Sequence, residues 1–356
     1  GMMGPALVRH EPVGVCAGIV PWNVPLFISM LKLAPALASG STIVLKPAPE
    51  TPLSANALAQ MCIDAGVPDG VVNIVPAGRE TGQHLVTHPD VDKVSFTGST
   101  AAGRKIGAAC GELLRRCTLE LGGKSAAIIC DDADLDAIMP ELIAASTMNN
   151  GQACVAQTRI LATRSRYDEV VEALTEAVAA IPVGDPANME TGCGPLIAER
   201  QRERVEGYIQ AGRDEGARVT TGGGRPEGLD RGWFVEPTVF ADVDNSMRIA
   251  QEEIFGPVLA VIAVDDADDA VRVANDSAYG LSGTVWTADA DAGLDIARKV
   301  RTGTYTVNGF AMEWGAPFGG FKDSGVGREL GPEGLAAYLE SKTINLPAGT
   351  EPTLAY

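Results

Sequence analysis

The chain has 356 residues, which is enough to bury a large core and to form two domains. Its composition, 46% hydrophobic and 21% charged, is that of an ordinary globular protein. With 28 Lys+Arg against 46 Asp+Glu, the formal net charge is −18. That balance argues against a nucleic acid or a membrane as partner, because both require a basic surface.

The cysteines and histidines narrow the possible chemistry further. Seven cysteines, an odd number, contain no C-x-x-C pair, so we expect neither a disulfide framework nor a zinc site, but a reducing, cytoplasmic compartment. No apolar run reaches the length of a transmembrane helix, and the first residues lack a signal-peptide pattern. Three histidines and no G-x-S-x-G motif make a Ser-His-Asp hydrolase improbable. Covalent chemistry, if there is any, is therefore expected from a cysteine.

The first third of the chain alternates apolar strands with helices. Strands are predicted at Val13–Val20, Thr42–Lys46, Val71–Val75, Lys93–Phe96, Arg116–Leu121 and Ala126–Cys130. Helices are predicted at Leu26–Ala38, ended by Gly40, at Pro52–Ala65 with Thr51 as N-cap, at Glu80–Thr87 and at Ala101–Cys110. Strands separated by helices of this length predict βαβ crossovers and a mostly parallel sheet covered on both faces. The fold class is therefore α/β, of the doubly wound, Rossmann-type architecture that binds nucleotides.

A second α/β pattern follows after Asp131. Helices are predicted at Asp134–Asn149, Tyr167–Ile181, Ile197–Glu215, Ala267–Asn275 and Ala290–Val300. Strands are predicted at Val258–Val264, Gly283–Thr287 and Thr304–Asn308. We expect a second domain with its own core, and a gap between the domains near Glu120–Lys124, where ligand sites tend to form.

Several polar residues have both a functional and a simpler interpretation. The turn Thr97–Gly103 could hold a pyrophosphate at a helix N-terminus, or it could be only a tight turn. Cys154 is a nucleophile or a small buried hydrophobe, and Glu120 is a base or a solvated charge. Asn23 is most simply a turn residue and Lys46 a lysine whose stem covers apolar surface. Only their joint placement favours the functional interpretation.

That joint placement resembles the aldehyde dehydrogenase superfamily, in the family's order and over nearly the whole chain. The matching motifs are Pro21-Trp22-Asn23, Lys46-Pro47, Phe96-Thr97-Gly98-Ser99-Thr100, Glu120-Leu121-Gly122-Gly123-Lys124, Gly151-Gln152-Ala153-Cys154, Glu253-Ile254-Phe255-Gly256-Pro257 and Pro317-Phe318-Gly319-Gly320, the last continuing through Lys322, Ser324-Gly325 and Gly327-Arg328-Glu329.

The resemblance implies a mechanism. The Cys154 thiolate attacks the aldehyde and forms a thiohemiacetal, whose oxyanion the Asn23 amide and the Cys154 backbone N–H hold. Hydride transfer to the nicotinamide leaves a thioester on Cys154, which water activated by Glu120 hydrolyses to the carboxylic acid. Lys32 and Glu329 are implied to relay the proton outward.

The resemblance also implies a cofactor, NAD or NADP. The residues implied to bind it are Trp22, Lys46, Gly98, Ser99, Gly122, Glu253 and Phe255. Among them, Lys46 is expected at the adenine-side ribose, Gly98 and Ser99 near the pyrophosphate, and Glu253 at the nicotinamide ribose. The family often has a ribose-binding glutamate where this chain has Pro49, with Glu50 next, so NAD is favoured over NADP only modestly.

The substrate is expected to be an uncharged, medium-sized aliphatic or aromatic aldehyde, because the positions implied to line the substrate tunnel are all apolar. They are Val24, Ile28, Leu31, Val155, Met312 and Phe318. No arginine is placed to hold a substrate carboxylate.

The domains are predicted as residues 11–122 with 324–339 for the dinucleotide, and 123–323 for catalysis. Residues 1–10 and 340–350 are predicted remnants of an oligomerisation arm, since family members have roughly a quarter to a third of their length upstream of Gly4–Pro12. We expect a homo-oligomer, a dimer or a tetramer, with the strand around Ser341–Leu346 as one contact.

Two alternatives remain open. A CoA-acylating semialdehyde dehydrogenase would release the thioester to CoA, but such enzymes tend to lack the water-activating glutamate that Glu120 matches. A catalytically inactive or impaired homologue with a structural or binding role is the other, because a shortened sheet can lose cofactor affinity before it loses the fold.

Overall fold

The computed structural model describes residues 4–350 and divides the chain into two compact units. Unit 1 comprises residues up to Leu119 together with Trp314–Phe318 and the chain from Gly327 onward. Unit 2 comprises Glu120–Glu313 and Gly319–Val326. Residues 1–3 of the predicted arm segment 1–10 lie outside the described range.

Within residues 4–350 there are fifteen strands and eleven α-helices. The strands are β1 Ala6–Pro12, β2 Val15–Ile19, β3 Thr42–Lys46, β4 Val72–Ile74, β5 Lys93–Thr97, β6 Arg116–Glu120, β7 Ala126–Ile129, β8 Arg159–Thr163, β9 Arg218–Thr221, β10 Thr238–Ala241, β11 Val258–Val264, β12 Gly283–Trp286, β13 Thr306–Val307, β14 Gly325–Val326 and β15 Leu339–Asn345. The helices are α1 Pro25–Ser39, α2 Pro52–Asp64, α3 Arg79–Thr87, α4 Thr100–Glu112, α5 Leu135–Thr147, α6 Tyr167–Ala179, α7 Glu199–Asp214, α8 Arg248–Gln251, α9 Ala267–Asn275, α10 Ala290–Lys299 and α11 Gly331–Ala336.

The predicted α/β class is confirmed, and three predicted elements, β3, β11 and α9, agree residue for residue. Helix α1 ends as expected at Gly40, whose φ of 83° is left-handed and suits glycine. Thr51 is the N-cap residue of α2, as predicted, but its side chain makes no capping hydrogen bond. A proline follows it at the start of α2, where the backbone N–H has no helical partner in any case.

Five strands of unit 1 pair in the order β6-β5-β2-β3-β4. Strand β2 is parallel to both β5 and β3, and β3 is parallel to β4. The register pairs Ile19 with Lys46 on one side and with Phe96 on the other. The carboxyl ends of β2, β3 and β5 therefore meet at one edge of this sheet.

The sheet of unit 2 has seven strands in the order β13-β12-β7-β8-β11-β10-β9. All neighbours are parallel except β9, which runs antiparallel to β10 at the edge. Two separate apolar clusters of buried side chains pack against this sheet, and alternate residues of β7 and β11 contribute to each. Both faces are thus covered, as the near-continuous apolar runs of its strands require.

The sequence patterns missed β8, the central strand between β7 and β11. It begins with Arg159, which is only 2% exposed although it carries a charge. Its guanidinium donates to the carbonyl oxygens of Lys124 (3.0 Å), Val273 (3.0 Å) and Ala274 (2.9 Å) and to Asn245 Oδ1 (3.0 Å). These acceptors are distant in sequence, so the pattern around Arg159 does not reveal that it is buried.

Strands β1 and β15 form a separate antiparallel two-stranded sheet in unit 1, in which Leu7 pairs with Ile344. The observed strand Leu339–Asn345 lies close to the predicted contact Ser341–Leu346. The assignments of the dinucleotide, catalytic and oligomerisation roles to parts of the chain remain predictions. Within residues 4–350, no helix is long and apolar enough to cross a bilayer.

Candidate active site

Cys154 lies at the centre of a tight turn in unit 2, just before strand β8. Ala156 N donates to Ala153 O at 3.1 Å and closes the turn. The thiol is half-buried, and the backbone N–H groups of Cys154 and Val155 point toward its sulfur. A thiol beside two such N–H groups suits a reaction that develops negative charge on an adjacent oxygen.

The chain enters this turn through three consecutive left-handed residues. Asn149, Asn150 and Gly151 have φ values of 51°, 58° and 71°. The predicted helix 134–149 therefore ends earlier, at Thr147. A Cβ on Gly151 would lie 2.1 Å from Gly256 O, so only glycine allows this backbone approach.

The side chains of this segment hold the strained conformation. Asn150 Oδ1 accepts from Gly194 N at 2.9 Å, and Gln152 Oε1 accepts from Ile197 N at 3.1 Å. Strained backbone persists only where the surroundings determine it fully, and such strain clusters at functional sites.

Glu120 ends strand β6, and its side chain is 3% exposed. Ser324 fixes the segment that follows it: Leu121 N donates to Ser324 O at 2.9 Å, and Ser324 Oγ donates to Gly122 O at 2.7 Å. The same hydroxyl accepts from Gly280 N at 2.9 Å. The motif around Ser324 thus orients the backbone directly after Glu120.

The two glycines after Leu121 allow three motifs to meet. A Cβ on Gly122 would lie 2.6 Å from Glu253 Oε2, and one on Gly123 would lie 2.2 Å from Cys154 O. Gly123 N also donates to Glu253 Oε1 at 3.0 Å. The Glu120 segment, the Cys154 turn and the Glu253 carboxylate are therefore packed together within unit 2.

The electrostatic environment opposes ionisation of the thiol. Burial, together with the carboxylates of Glu253 and Glu120, raises the pKa of Cys154 to about 12. The thiolate is the nucleophilic form, so the site needs a base or an added positive charge to generate it.

Two residues of α7 hold the segment that contains Glu253. Gln201 Nε2 donates to Phe255 O at 2.7 Å, and Arg204 Nε donates to Ile254 O at 3.1 Å. Phe255 is left-handed, with a φ of 64°. Burial raises the pKa of Glu253 to about 7, against the opposing effects of the Gly123 N–H and of the charges of Arg204 and Lys124.

Unit 1 carries the other predicted cofactor residues at the carboxyl edge of its sheet. Lys46 ends β3, is 5% exposed, and donates to Pro47 O at 2.8 Å and Ala77 O at 3.0 Å. Gly82 at the start of α3 accommodates this side chain, because a Cβ there would lie 3.2 Å from Lys46 Cε. Trp22 lies in the turn between β2 and α1, at the same edge.

The turn between β5 and α4 holds Gly98 and Ser99. Ser99 is the N-cap of α4, and its Oγ accepts from Ala102 N at 3.4 Å. A Cβ on Gly98 would lie 2.6 Å from the ring of Phe96. The turn therefore leads into the N-terminus of α4. Its geometry is compatible both with an anion site and with a simple tight turn.

The predicted relay residues Lys32 and Glu329 are in direct contact in unit 1. Lys32 Nζ lies 2.7 Å from Glu329 Oε1, with the two side chains 0% and 3% exposed. Lys32 Nζ also donates to Thr97 Oγ1 at 2.7 Å, and Ser95 Oγ donates to Glu329 Oε1 at 3.3 Å. Asn23 lies in the turn just before α1, the helix that carries Lys32.

The six predicted tunnel positions are divided between the units. Val24, Ile28, Leu31 and Phe318 belong to unit 1, and Val155 and Met312 belong to unit 2. Ile28 packs in the apolar core of unit 1, whereas Val24 is 38% exposed at the N-cap of α1. The role of these six residues as the lining of a substrate tunnel remains a prediction.

Several residues support the site although the sequence pattern predicts no role for them, namely Lys124, Asn149, Asn150, Gln201, Arg204 and Ser324. The glycine after the two asparagines was the one available signal, because Asn and Gly tolerate left-handed backbone. Within residues 4–350, no group of three or more His, Cys, Asp and Glu side chains is placed to hold a metal.

Comparison of the whole chain with known protein families assigns it to a class. The family model described as "Aldehyde dehydrogenase family" matches residues 4–344. The chain therefore belongs to the aldehyde dehydrogenase family, and the prediction of an oxidoreductase of this family is confirmed.

Individual relatives agree with that assignment. Geranial dehydrogenase of Castellaniella defragrans is 55% identical over 340 residues, which cover 96% of this chain and 71% of the relative. A Mycobacterium tuberculosis aldehyde dehydrogenase complexed with NAD+ is 58% identical with a TM-score of 0.97, covering 99% of this chain and 73% of its own. A Pseudomonas syringae aldehyde dehydrogenase mutant complexed with NAD+ and octanal is 45% identical with a TM-score of 0.93, covering 95% and 70%.

Proposed function

We propose that the protein oxidises an uncharged aliphatic or aromatic aldehyde to the carboxylic acid with NAD, through a thioester on Cys154. The observation that carries this proposal is the contact of the Glu120 segment with the Cys154 turn at Gly123, where a Cβ would lie 2.2 Å from Cys154 O. A nucleophile and a base on two backbone segments that contact each other support acylation followed by hydrolysis.

The residues present fit NAD as cofactor. The Glu253 carboxylate lies against Gly122, and any side chain at that glycine would collide with the carboxylate. We propose that this carboxylate accepts hydrogen bonds from ribose hydroxyls. The N-terminus of α4 and the Lys46 ammonium suit a pyrophosphate and an adenine-side ribose. When bound, NAD supplies the hydride acceptor. NADP is the alternative cofactor, because this chain has Pro49 where the family often has a ribose-binding glutamate.

The residues of the chain do the remaining work. Cys154 loses its thiol proton to water and attacks the aldehyde carbon as the thiolate, and its own backbone N–H donates to the oxyanion of the thiohemiacetal. A positive charge brought close to the thiol favours the thiolate, which burial and two carboxylates disfavour in the free protein. Glu120 takes a proton from water as that water attacks the thioester carbon, and the C–S bond then breaks to release the carboxylic acid and the Cys154 thiolate.

Three residues of unit 1 keep roles proposed from the family resemblance. Asn23 is proposed as the second oxyanion donor. Lys32 and Glu329 are proposed to accept and release the proton, which their short contact and the Thr97 hydroxyl support. Asn23→Ala tests the first role through kcat, and Glu329→Gln tests the second through the pH profile of steady turnover.

The substrate class follows from the apolar character of the predicted tunnel positions. The relatives named for geranial and solved with octanal are consistent with it, because both compounds are uncharged aldehydes. We expect hexanal and benzaldehyde to be oxidised much faster than succinic semialdehyde. A preference for the semialdehyde would contradict the proposed class.

The experiment that tests the function follows NADH and NADPH absorbance with a panel of aldehydes, for the wild type and Cys154→Ala. Turnover by the wild type alone supports the proposal. If the wild type neither binds NAD nor turns over any aldehyde, the inactive homologue is the correct alternative. The homo-oligomer and the cytoplasmic location remain predictions, tested by light scattering and by fractionation.

A further inference from the structure

Helix α4 and strand β6 of unit 1 bring two cysteines together. Cys110 lies in the last turn of α4 and is 1% exposed, and Cys117 is the second residue of β6 and is half-buried. The thiol of Cys110 donates a hydrogen bond to the sulfur of Cys117. The proposed chemistry at Cys154 uses neither thiol.

The packing of α4 against β6 explains why the two thiols meet. A Cβ on Gly107 would lie 3.3 Å from Leu119 Cδ1, so the helix face of Gly107 lies directly against the strand face of Leu119. Cys110 follows Gly107 by three residues and therefore lies on the same face of the helix. Cys117 precedes Leu119 by two residues and therefore points to the same side of the strand. Both cysteines thus lie on the two surfaces that face each other.

The turn between the two elements holds their ends close. Arg115 N donates to Cys110 O at 2.8 Å, which ties the end of the helix to a residue just before Cys117. The chain reverses at Leu114, whose φ of 51° is left-handed. The loop that a bond between the two sulfurs would close, residues 110–117, is therefore already formed by the folded backbone.

The surroundings favour a thiolate on one cysteine and a thiol on the other. The hydrogen bond from Cys110 and the charge of Lys93 lower the pKa of Cys117 to about 7, against the opposing effect of burial. The same hydrogen bond and burial raise the pKa of Cys110, against the charges of Arg115 and Lys93. Lys93 Nζ is held close by, where it donates to Thr118 Oγ1 at 2.8 Å. An ionised, partly accessible cysteine beside a protonated one is the usual arrangement of an attacking and a resolving thiol.

We propose that Cys110 and Cys117 form a site of reversible oxidation by hydroperoxides, at which a disulfide closes within unit 1. In a reducing compartment such a bond is transient and typical of redox sensing, and it needs no disulfide framework elsewhere in the chain. Neither cysteine belongs to the proposed active site, so this modification does not depend on the proposed function.

The oxidation takes place in two steps. The Cys117 thiolate attacks one oxygen of hydrogen peroxide, the O–O bond breaks, and the departing hydroxide takes up the proton that Cys117 had released, which leaves water and a sulfenic acid on Cys117. The Cys110 sulfur then attacks the Cys117 sulfur, the S–O bond breaks, and the departing hydroxide takes the Cys110 proton and leaves as water. The two thiols lose two electrons, and one peroxide is reduced to two molecules of water.

The test treats the reduced protein at about pH 7 with one equivalent of hydrogen peroxide, blocks the remaining thiols and digests the chain with trypsin without a reductant. Because Arg115 and Arg116 lie between the cysteines, trypsin places them on separate peptides, 106–115 and 117–124. We expect these peptides to be joined, at a mass lower by two hydrogen atoms, and to separate after treatment with a phosphine. A mixture of isotope-labelled and unlabelled protein should give no mixed pairs, because the bond forms within one chain.

Three variants assign the roles of the two thiols. In Cys110→Ser a hydroxyl can still donate to Cys117 but no resolving thiol remains, so the sulfenic acid on Cys117 should accumulate and react with dimedone. In Cys117→Ser both the joined peptides and the dimedone label should be lost, because the pKa of the remaining Cys110 is raised by burial. The matched control is Cys62→Ser, which removes a half-buried cysteine of α2 in the same unit and should leave the yield of joined peptides unchanged.

The joined peptides of the wild type need no variant, so the test stays decisive if a variant does not fold. A sulfenic acid trapped on Cys117 of the wild type without any joined peptide would refute the proposal, because Cys110 would then not reach it. It would also be refuted if Cys117 stayed reduced while Cys62 was oxidised, or if mixed isotope pairs placed the bond between two molecules. These measurements do not use NADH production, so a failure of the proposed function is detected separately.

Discussion

The two units place their functional residues at opposite edges of their parallel sheets. In unit 1, Lys46 and the Gly98 turn follow the carboxyl ends of β3 and β5. In unit 2, Glu120, Cys154 and Glu253 all precede the amino ends of β7, β8 and β11. The register brings these amino ends together, since Arg159 pairs with both Ala126 and Ala260.

The difference shows what each edge requires. At a carboxyl edge, the turn into the next helix supplies free N–H groups without further help, which is the usual ligand site of an open α/β sheet. The functional groups at the amino edge of unit 2 are positioned in a different way. The groups there are held by backbone contacts at Gly123 and Gly151 and by side chains such as Ser324.

The largest effect is expected at Cys154. Cys154→Ala should lower turnover by at least about 10⁴-fold, because the covalent intermediate can no longer form. Binding of NAD, measured by calorimetry, should be retained, since the cofactor residues are unchanged. Residual turnover close to that of the wild type would mean that the nucleophile lies elsewhere.

Glu120→Gln should lower the steady rate by about 10²- to 10⁴-fold, the range typical of a general base. Rapid-mixing absorbance should still show one burst of NADH per site, because only hydrolysis of the thioester needs the base. A burst that disappears together with the steady rate would assign Glu120 to the acylation half of the reaction instead.

Breaking the buried ion pair of unit 1 on one side should destabilise the folded state. Lys32→Met leaves the Glu329 carboxylate buried without its cation and should cost about 3–5 kcal/mol in the free energy of unfolding, measured with urea. The double variant Lys32→Met with Glu329→Leu should recover much of that loss. A double variant as unstable as the sum of the single variants would show that packing, and not charge, is responsible.

Replacing one glycine in each unit by alanine should destabilise the two units to different extents. At Gly123 a Cβ would meet the backbone oxygen of Cys154, whereas at Gly98 it would meet the edge of the Phe96 ring, which can rotate. Overpacking costs about 1–3 kcal/mol, and we expect Gly123→Ala at or above the upper end and Gly98→Ala near the lower end. Thermal unfolding measures the difference, and equal melting temperatures would contradict it.

The smallest effect is a difference in thiol reactivity between the units. The hydrogen bond from Cys110, with the charge of Lys93, lowers the pKa of the half-buried Cys117 in unit 1 to about 7, against the opposing effect of burial. The pKa of Cys154 is raised to about 12, so its thiolate becomes populated only at a much higher pH. Without cofactor near pH 7, iodoacetamide should therefore label Cys117 a few-fold faster than Cys154. Peptide mass spectrometry resolves the two, and faster labelling of Cys154 would show that the free site already stabilises its thiolate.

The sequence by itself determined the α/β class, most helix and strand positions, and the family. Hydrophobic periodicity and helix-ending residues are local features of the sequence. The apolar run of β11 and the helix end at Gly40 could therefore be predicted without reference to the rest of the chain. The family motifs and their order, from Asn23 to Glu329, can likewise be recognised in the sequence alone.

Only the tertiary structure decided how the site is held. Strand β8 escaped the patterns because the partners of Arg159 are carbonyls far away in sequence. Three other features likewise depend on segments that folding brings together. They are the close approach of the Cys154 carbonyl oxygen to Gly123, the contact of Lys32 with Glu329 and the unpartnered amine of Lys124. Burial and electrostatics are properties of the packed neighbourhood, and no local pattern contains them.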